Sequence, residues 1–510
     1  MIHSKARLRA ISSLGALTLL LLGLVTLWPS PSRGEYTLVV NSHERRGVWE
    51  GWGCSLAWWG NGIGGSAHES LYEDLFFTRK SVPFLGQTLP GLGLNVVRYN
   101  VGGGGKNDRF NGAVENIPPA FPWYKHIDGY WINWNSPQPT SPSWDWTRDS
   151  NQRRVLQAAT KRGVDHVDFF SNAPMWWMTN RKSSAGGALQ AWNRGDFAHY
   201  LAMVVKHAKS DWGIDVSSVE PFNEPSAGWW NYPLGQEGCN LSLDQQASVI
   251  GNLRQELDAQ GLRSTPITAS DENAITQATA AAKYFLSHSV SVNGRSRTVA
   301  DLTTRVNVHG YSGLAPWRDN AARQSLRRTV TGKPLWMSEY GDGDGSGMVL
   351  AQTITEDLTY LQPTAWIYWQ PLEPYSAWGL VNGHYADSPG QADRGAPAWV
   401  YTKYYVMAQF TRFLRPGNIL LGSNDHNSVV AYDPRHHLLS LITVNYGNAQ
   451  PIHFDLSGVL HLGNAASVTQ TCTDGTILFR ESKVGLSHKT LTVNARKNSI
   501  YSVVIGGVNL

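Results

Sequence analysis

Between residues 50 and 400, short runs rich in β-branched and aromatic residues alternate with longer stretches in which apolar residues recur every three or four positions. That is the pattern of strands joined by crossover helices. The strand-like runs end at Gly51–Trp59, Leu94–Asn100, His166–Pro174, Val219–Pro225, Pro266–Glu272, Arg305–Tyr311, Pro334–Gly341 and Ala365–Pro371. Helical periodicity fits 151–162, 195–210 and 244–260, the last closed by Gly261. Eight such units with right-handed crossovers predict an α/β fold, a (β/α)8 TIM barrel whose chemistry sits at the carboxyl ends of its strands. After Arg415–Pro416–Gly417 the period shortens to two. The runs ILLGSN, SVVAYD, LLSLITVNY, PIHFDL, SVTQTCT, KTLTVNA and SIYSVVI predict an appended antiparallel β-sandwich side domain. YTLVVN at 36–41 has the same character and is expected to join that sandwich from before the barrel. The expected division is residues 1–34, 35–48 (the joining strand), 49–403 (barrel) and 404–510 (side domain).

The first segment reads as a leader ahead of the fold. Lys5, Arg7 and Arg9 precede an apolar run from Leu14 to Trp28, broken by Pro29, Pro31 and Gly34, as in a secretory signal peptide. The expected destination is extracellular or periplasmic. Counted from Ile11 the run approaches the length of a spanning helix, so an uncleaved anchor is the other reading. Charge then narrows the partner. The chain carries 43 basic and 39 acidic residues, and Lys5, Arg7, Arg9 and Arg33 of the first segment account for the whole surplus of +4. The remaining body is neutral, with 16% charged residues, 11% aromatic residues and 22 Trp. It offers no basic footprint for nucleic acid and no polybasic stripe for membranes. An uncharged partner suits it, and it is expected to act as a monomer. Three cysteines allow at most one internal disulfide.

Two strand ends carry acids. The fourth closes on Phe222–Asn223–Glu224–Pro225 and the seventh on Ser338–Glu339–Tyr340–Gly341, so each delivers one carboxylate to the same barrel mouth. Paired carboxylates suit glycoside hydrolysis: one donates a proton to the leaving oxygen, and the other, ionised, attacks or stabilises the anomeric carbon.

These motifs resemble glycoside hydrolase family 30. The resemblance runs from about Tyr36 to Val508 and rests on an ordered set: GWG at 51–53, RYN at 98–100, FNEP at 222–225, SEYG at 338–341, YWQP at 368–371 and YYVMAQFTRFLRPG at 404–417. CSLAWWG at 54–60, SNAPMWWM at 171–178, EPFNEP at 220–225 and QEGC at 236–239 look like the endo-β-1,6-galactanases of that family. The resemblance implies a retaining hydrolase that cleaves β-1,6-galactan of the arabinogalactan type by double displacement, without cofactor or metal. It implies Glu224 as acid/base, Glu339 as nucleophile, Asn223 on the sugar 2-hydroxyl, and Arg98 and Tyr311 orienting and charging Glu339. Tyr340 should point away from Glu339, because strand side chains alternate.

Sugar rings stack their C–H faces on indole, so Trp58, Trp59, Trp176, Trp177 and Trp369 at strand ends are candidate substrate-binding residues. One from each adjacent pair is expected to face the ligand. Trp229 and Trp230 follow Glu224 and would line an outer subsite. Glu220 is read as structural, and Glu237, Asp271 and Glu272 are left without a role. Gly102–Gly105 lacks the Ser/Thr of a phosphate loop and reads as a flexible rim. Asp342–Gly347 imitates a calcium loop, but its twelfth position is Thr353, so no metal is expected. The other readings are a different specificity of the family (an endo-β-1,6-glucanase, a xylanase or a glucosylceramidase) and a non-catalytic polysaccharide-binding protein.

Overall fold

The computed structural model describes residues 36–510 except 107, 312–318 and 388. The leader expected at 1–34 lies outside the described residues. The first strand, β1 (Tyr36–Val48), belongs to a sheet formed mainly by the far end of the chain. The next eight labelled strands form a ring: β2 (Gly51–Ser55), β3 (Val96–Asn100), β4 (His166–Phe170), β5 (Ser218–Glu220), β6 (Thr268–Glu272), β7 (Arg305–His309), β8 (Leu335–Tyr340) and β9 (Ala365–Tyr368). Their order is β5-β4-β3-β2-β9-β8-β7-β6, every neighbouring pair parallel. A parallel bridge between Val219 and Ile267 joins the two ends. This is a TIM barrel.

Helices α1 (Glu69–Phe77), α2 (Ser150–Lys161), α3 (Arg194–His207), α4 (Leu243–Ala259), α5 (Ile275–Ser287), α6 (Asn320–Thr329) and α7 (Met348–Glu356) lie between successive strands of the ring. Local sequence signals mark two of them. In α2 the buried residues Gln152, Val155, Leu156 and Ala159 repeat at i, i+3, i+4 and i+7. In α4 Ser242 and Gln245 form a capping box. The strands alternate too: on β3 Val97 and Tyr99 join the core shared with the helices, while Val96 packs with Trp336, Ala365 and Ile367 in a separate cluster. Arg98 shares the face of Val96, one step nearer the mouth.

Beyond the barrel come α8 (Thr402–Thr411) and strands β10 (Ile419–Ser423), β11 (Ser428–Asp433), β12 (Leu438–Asn445), β13 (Gln450–Asp455), β14 (Ala465–Cys472), β15 (Arg480–Gly485), β16 (Thr490–Ala495) and β17 (Ser499–Ile505). With β1 they form a nine-stranded sheet in the order β15-β14-β17-β12-β11-β10-β1-β13-β16. All pairs are antiparallel except β1 with β13. Leu38, Leu439, Phe454, Val468, Leu491 and Val503 share one core cluster, although β16 and β14 lie far apart in that order. β15 has no counterpart among the runs read from sequence, because its residues (RESKVG) are mostly exposed and polar. Helix α8 is buried from Lys403 to Thr411. Tyr404 donates to the Pro90 carbonyl at 2.8 Å on the barrel side, and Gln409 donates to Thr471 Oγ1 at 2.8 Å on the sheet side. Cys54, Cys239 and Cys472 are buried and unpaired.

The expected flexible rim at Gly102–Gly105 is corrected by the structure. All four glycines are buried. An added Cβ would lie 2.3 Å from the Ile127 carbonyl at Gly102, 2.2 Å from the Pro174 carbonyl at Gly103, and 2.2 Å from Trp176 Nε1 at Gly105. Close approach, not mobility, requires glycine here. Gly103→Ala is accordingly expected to destabilise the fold by about 3 kcal/mol or more through overpacking against backbone, read as a lowered denaturation midpoint.

Candidate active site

Two bulges aim the ionisable groups of the barrel mouth. Between β7 and β8, Val308 pairs with Met337 and His309 with Glu339, which leaves Ser338 as an extra residue. Between β6 and β7, Ser270 pairs with Asn307 and Glu272 with Val308, which leaves Asp271 extra, with φ of +57°. A bulge interrupts alternation and lets consecutive side chains turn the same way. Ser338 Oγ donates to Asp271 Oδ1 at 2.6 Å, and the next residue, Glu339, reaches the same cluster. Glu224 follows β5 in the left-handed region, φ +50°. Its N–H donates to the Asp271 carbonyl at 2.8 Å, and its carbonyl accepts from Trp230 Nε1 at 2.7 Å, so its backbone is pinned on both sides.

Arg98 is fully buried. It donates to Glu339 Oε2 at 2.8 Å and to Asp271 Oδ2, with its guanidinium 4.0 Å above the Phe170 ring. His309 Nδ1 lies 3.0 Å from Glu224 Oε1 and 3.5 Å from Glu339 Oε1, and Nε2 lies 3.1 Å from Asp271 Oδ2. Asn273 donates to Glu224 Oε1 at 2.7 Å, and the Tyr311 hydroxyl to Glu339 Oε1 at 3.3 Å. One carboxylate oxygen of each glutamate and a ring nitrogen of His309 all fall within 4.8 Å of one another. A gap of about 5–5.5 Å between carboxyls suits attack by one of them, whereas inversion needs about 6.5–9.5 Å to admit a water.

Charge follows from these contacts. Burial alone would raise Asp271, but Arg98 and His309 hold it down at about 2. Burial pulls His309 down, yet Glu339 and Asp271 push it up to about 10, so it is a cation at neutral pH. Burial pushes Glu339 up to about 7, against the pull of His309 and Arg98 and with Glu224 and Asp271 adding to the rise. Glu224, His309 and Glu339 are also spaced as metal ligands could be. The Tyr340 hydroxyl accepts from Thr353 on α7 at 3.2 Å, away from Glu339.

His309 and Asn273 escaped the sequence reading, and Asp271 was seen without a role. His309 had a usable signal, since it stands two residues before Tyr311 at a barrel strand end. The tryptophans divide sharply. Trp58 and Trp369, each 8% exposed, meet edge to face at 5.1 Å in a small cluster with Ala57 and Phe170, the ring beneath Arg98. Lys125 Nζ sits 3.7 Å over the Trp58 ring and covers that face. Three candidates are corrected. Trp59 is fully buried against Phe76 and Phe77, Trp176 is fully buried in the main core, and Trp177 packs on Trp131 at 5.1 Å. Core packing takes the rings of Trp59 and Trp176, and the loop bearing Trp131 and Trp134 packs on Trp177. Trp230 is buried where it pins Glu224, while Trp229 on the same loop is 47% exposed. Asn223 is buried beside Glu224 in sequence, its amide oxygen unpartnered among the described residues.

The family model of O-glycosyl hydrolase family 30 matches residues 35–381. A curated endo-β-1,6-galactanase of Hypocrea rufa is 39% identical over 454 residues, 88% of this chain and 89% of that protein. The chain belongs to O-glycosyl hydrolase family 30. As a member of family 30 it is a glycoside hydrolase, and a carbohydrate is its substrate. It is also 26% identical to an exo-β-1,6-galactobiohydrolase of Bifidobacterium longum over 64% of this chain and 26% of that protein. The catalytic domain of GH30 xylanase C from Talaromyces cellulolyticus superposes with a TM-score of 0.66 at 18% identity, covering 92% of this chain and all of that one, which supports the shared fold.

Glu339, pushed up to about 7, is ionised above that value and takes up its proton as pH falls through it. An activity that needs this carboxylate should therefore lose kcat/KM on the acid side of its pH profile near 7, and Glu339→Gln should show no activity at any pH.

Proposed function

We propose that the protein is an exported, endo-acting β-1,6-galactan hydrolase that works with retention of configuration. The 39% identity to an endo-β-1,6-galactanase along 88% of the chain carries the substrate assignment. The spacing of the two carboxylates supports the mechanism. Glu224 gives its proton to the glycosidic oxygen as the C1–O bond breaks, and a Glu339 oxygen bonds to C1. The deprotonated Glu224 then takes a proton from water, whose oxygen attacks C1 and releases Glu339.

The donors fit these roles. A permanent cation on Oε2 and the Tyr311 hydroxyl at Oε1 favour ionised Glu339. Asn273 and His309, both on Glu224 Oε1, stabilise the anion that Glu224 becomes as its proton leaves, so they act more strongly in the transition state than before it. Asn223, the residue before Glu224, is the one assigned to the sugar 2-hydroxyl. Trp58 and Trp369 would flank the attacked sugar through their edges. The nine-stranded sheet serves as a β-sandwich support locked to the barrel by α8, and the protein acts as a monomer outside the cytoplasm.

Reducing-sugar release should be large from β-1,6-galactan and small from β-1,6-glucan and xylan; release from xylan alone would reject the assignment. Glu339→Gln should abolish turnover of every substrate. Glu224→Gln should cost about 10²–10⁴-fold on galactan while sparing aryl glycosides whose leaving group needs no proton. Normal galactan hydrolysis by both variants would overturn the roles.

A further inference from the structure

Trp378 presents a 41% exposed indole at the edge of the catalytic cluster. Its ring centroid lies 6.0 Å from that of Tyr311, whose hydroxyl donates to Glu339. The segment that carries it is held from below. The Tyr368 hydroxyl donates to the Trp378 carbonyl at 2.5 Å, and the Trp378 N–H donates to Ser376 Oγ at 3.1 Å. Buried Lys403 donates to the Ala377 and Asp342 carbonyls, both at 2.6 Å, and Asn382 donates to the Ser376 carbonyl at 2.9 Å. Gly341, two residues after Glu339, lies under the indole: a Cβ there would come within 3.0 Å of the ring.

A large apolar ring left in water costs hydration, and ordering the loop beneath it costs entropy. Both are recovered when a ligand covers the ring, and a pre-ordered loop leaves less entropy to lose on binding. Galactose is a matching ligand, because its axial 4-hydroxyl leaves one broad C–H face free to stack on indole. Direction follows from the acids. Trp378 adjoins Tyr311, which donates to Glu339, whereas the exposed Trp229 adjoins Trp230, which donates to the Glu224 carbonyl, so the two rings border different acids. We propose that Trp378 is the stacking platform of a second glycone subsite, holding the galactosyl unit one residue toward the non-reducing end from the sugar attacked by Glu339. The proposal rests on the galactanase reading and gives it a physical basis for requiring more than a terminal sugar.

The test compares an aryl β-galactoside with an aryl β-1,6-galactobioside, using the whole protein. In Trp378→Ala, kcat/KM on the bioside should fall about tenfold further than on the monoside, and Trp378→Phe should restore part of that difference. An unchanged ratio in Trp378→Ala overturns the proposal, as does an equal loss on both substrates that Phe does not recover, since that marks a merely structural ring. A wild-type protein that cleaves galactan normally while the ratio stays fixed sinks this proposal alone. A wild-type protein inactive on galactan and on both aryl substrates sinks the galactanase reading and this subsite with it.

Discussion

The guanidinium of Arg98 is the charge around which the barrel mouth is organised. It lies at zero exposure and touches both Asp271 and Glu339, and together with His309 it draws both toward the ionised form. Asp271 in turn keeps His309 protonated from the far side of the ring. Two cations, Arg98 and His309, thus face three acids, Asp271, Glu224 and Glu339, in one small volume.

Below that layer the interior changes character. Asp168 pairs with Arg305 at 3.1 Å, and Glu220 lies between layers with neither carboxyl oxygen partnered among the described residues. Burial, together with Asp271 and Asp168, pushes Glu220 well above the usual carboxylate range. Deeper still, Val96, Trp336, Ala365 and Ile367 close the base. The groups that touch Glu339 directly are few and fixed: Arg98, His309 and Tyr311.

Much of the barrel is legible in the sequence because a strand that ends at the mouth reads the same way in composition and in space. The β-rich runs ending near Glu224 and Glu339 correspond to β5 and β8, and the flanking motifs single out those two acids. What was not legible depends on departures from alternation. Asp271 and Ser338 are extra residues in their strands, and nothing in TASDE or LWMSEY announces a bulge. A tryptophan at a strand end carries one compositional signal whether it faces core or cleft, which is why Trp59, Trp176 and Trp177 were miscast while Trp378, beyond the strand in a polar loop, went unnoticed. The glycines at 102–105 misled for a related reason: glycine marks both looseness and the tightest contacts.

The pairing of β1 has a consequence for how the molecule is made. Val40 lies opposite Ser423, and the Val39 amide bonds Asn424 across 385 residues of sequence. The segment synthesised before the barrel thus finds its neighbours only after the barrel has been completed, and closing so long a loop is slow. Until the tail arrives, an apolar strand bearing Leu38 and Val40 waits with both edges open, the moment at which a growing chain is most exposed to self-association.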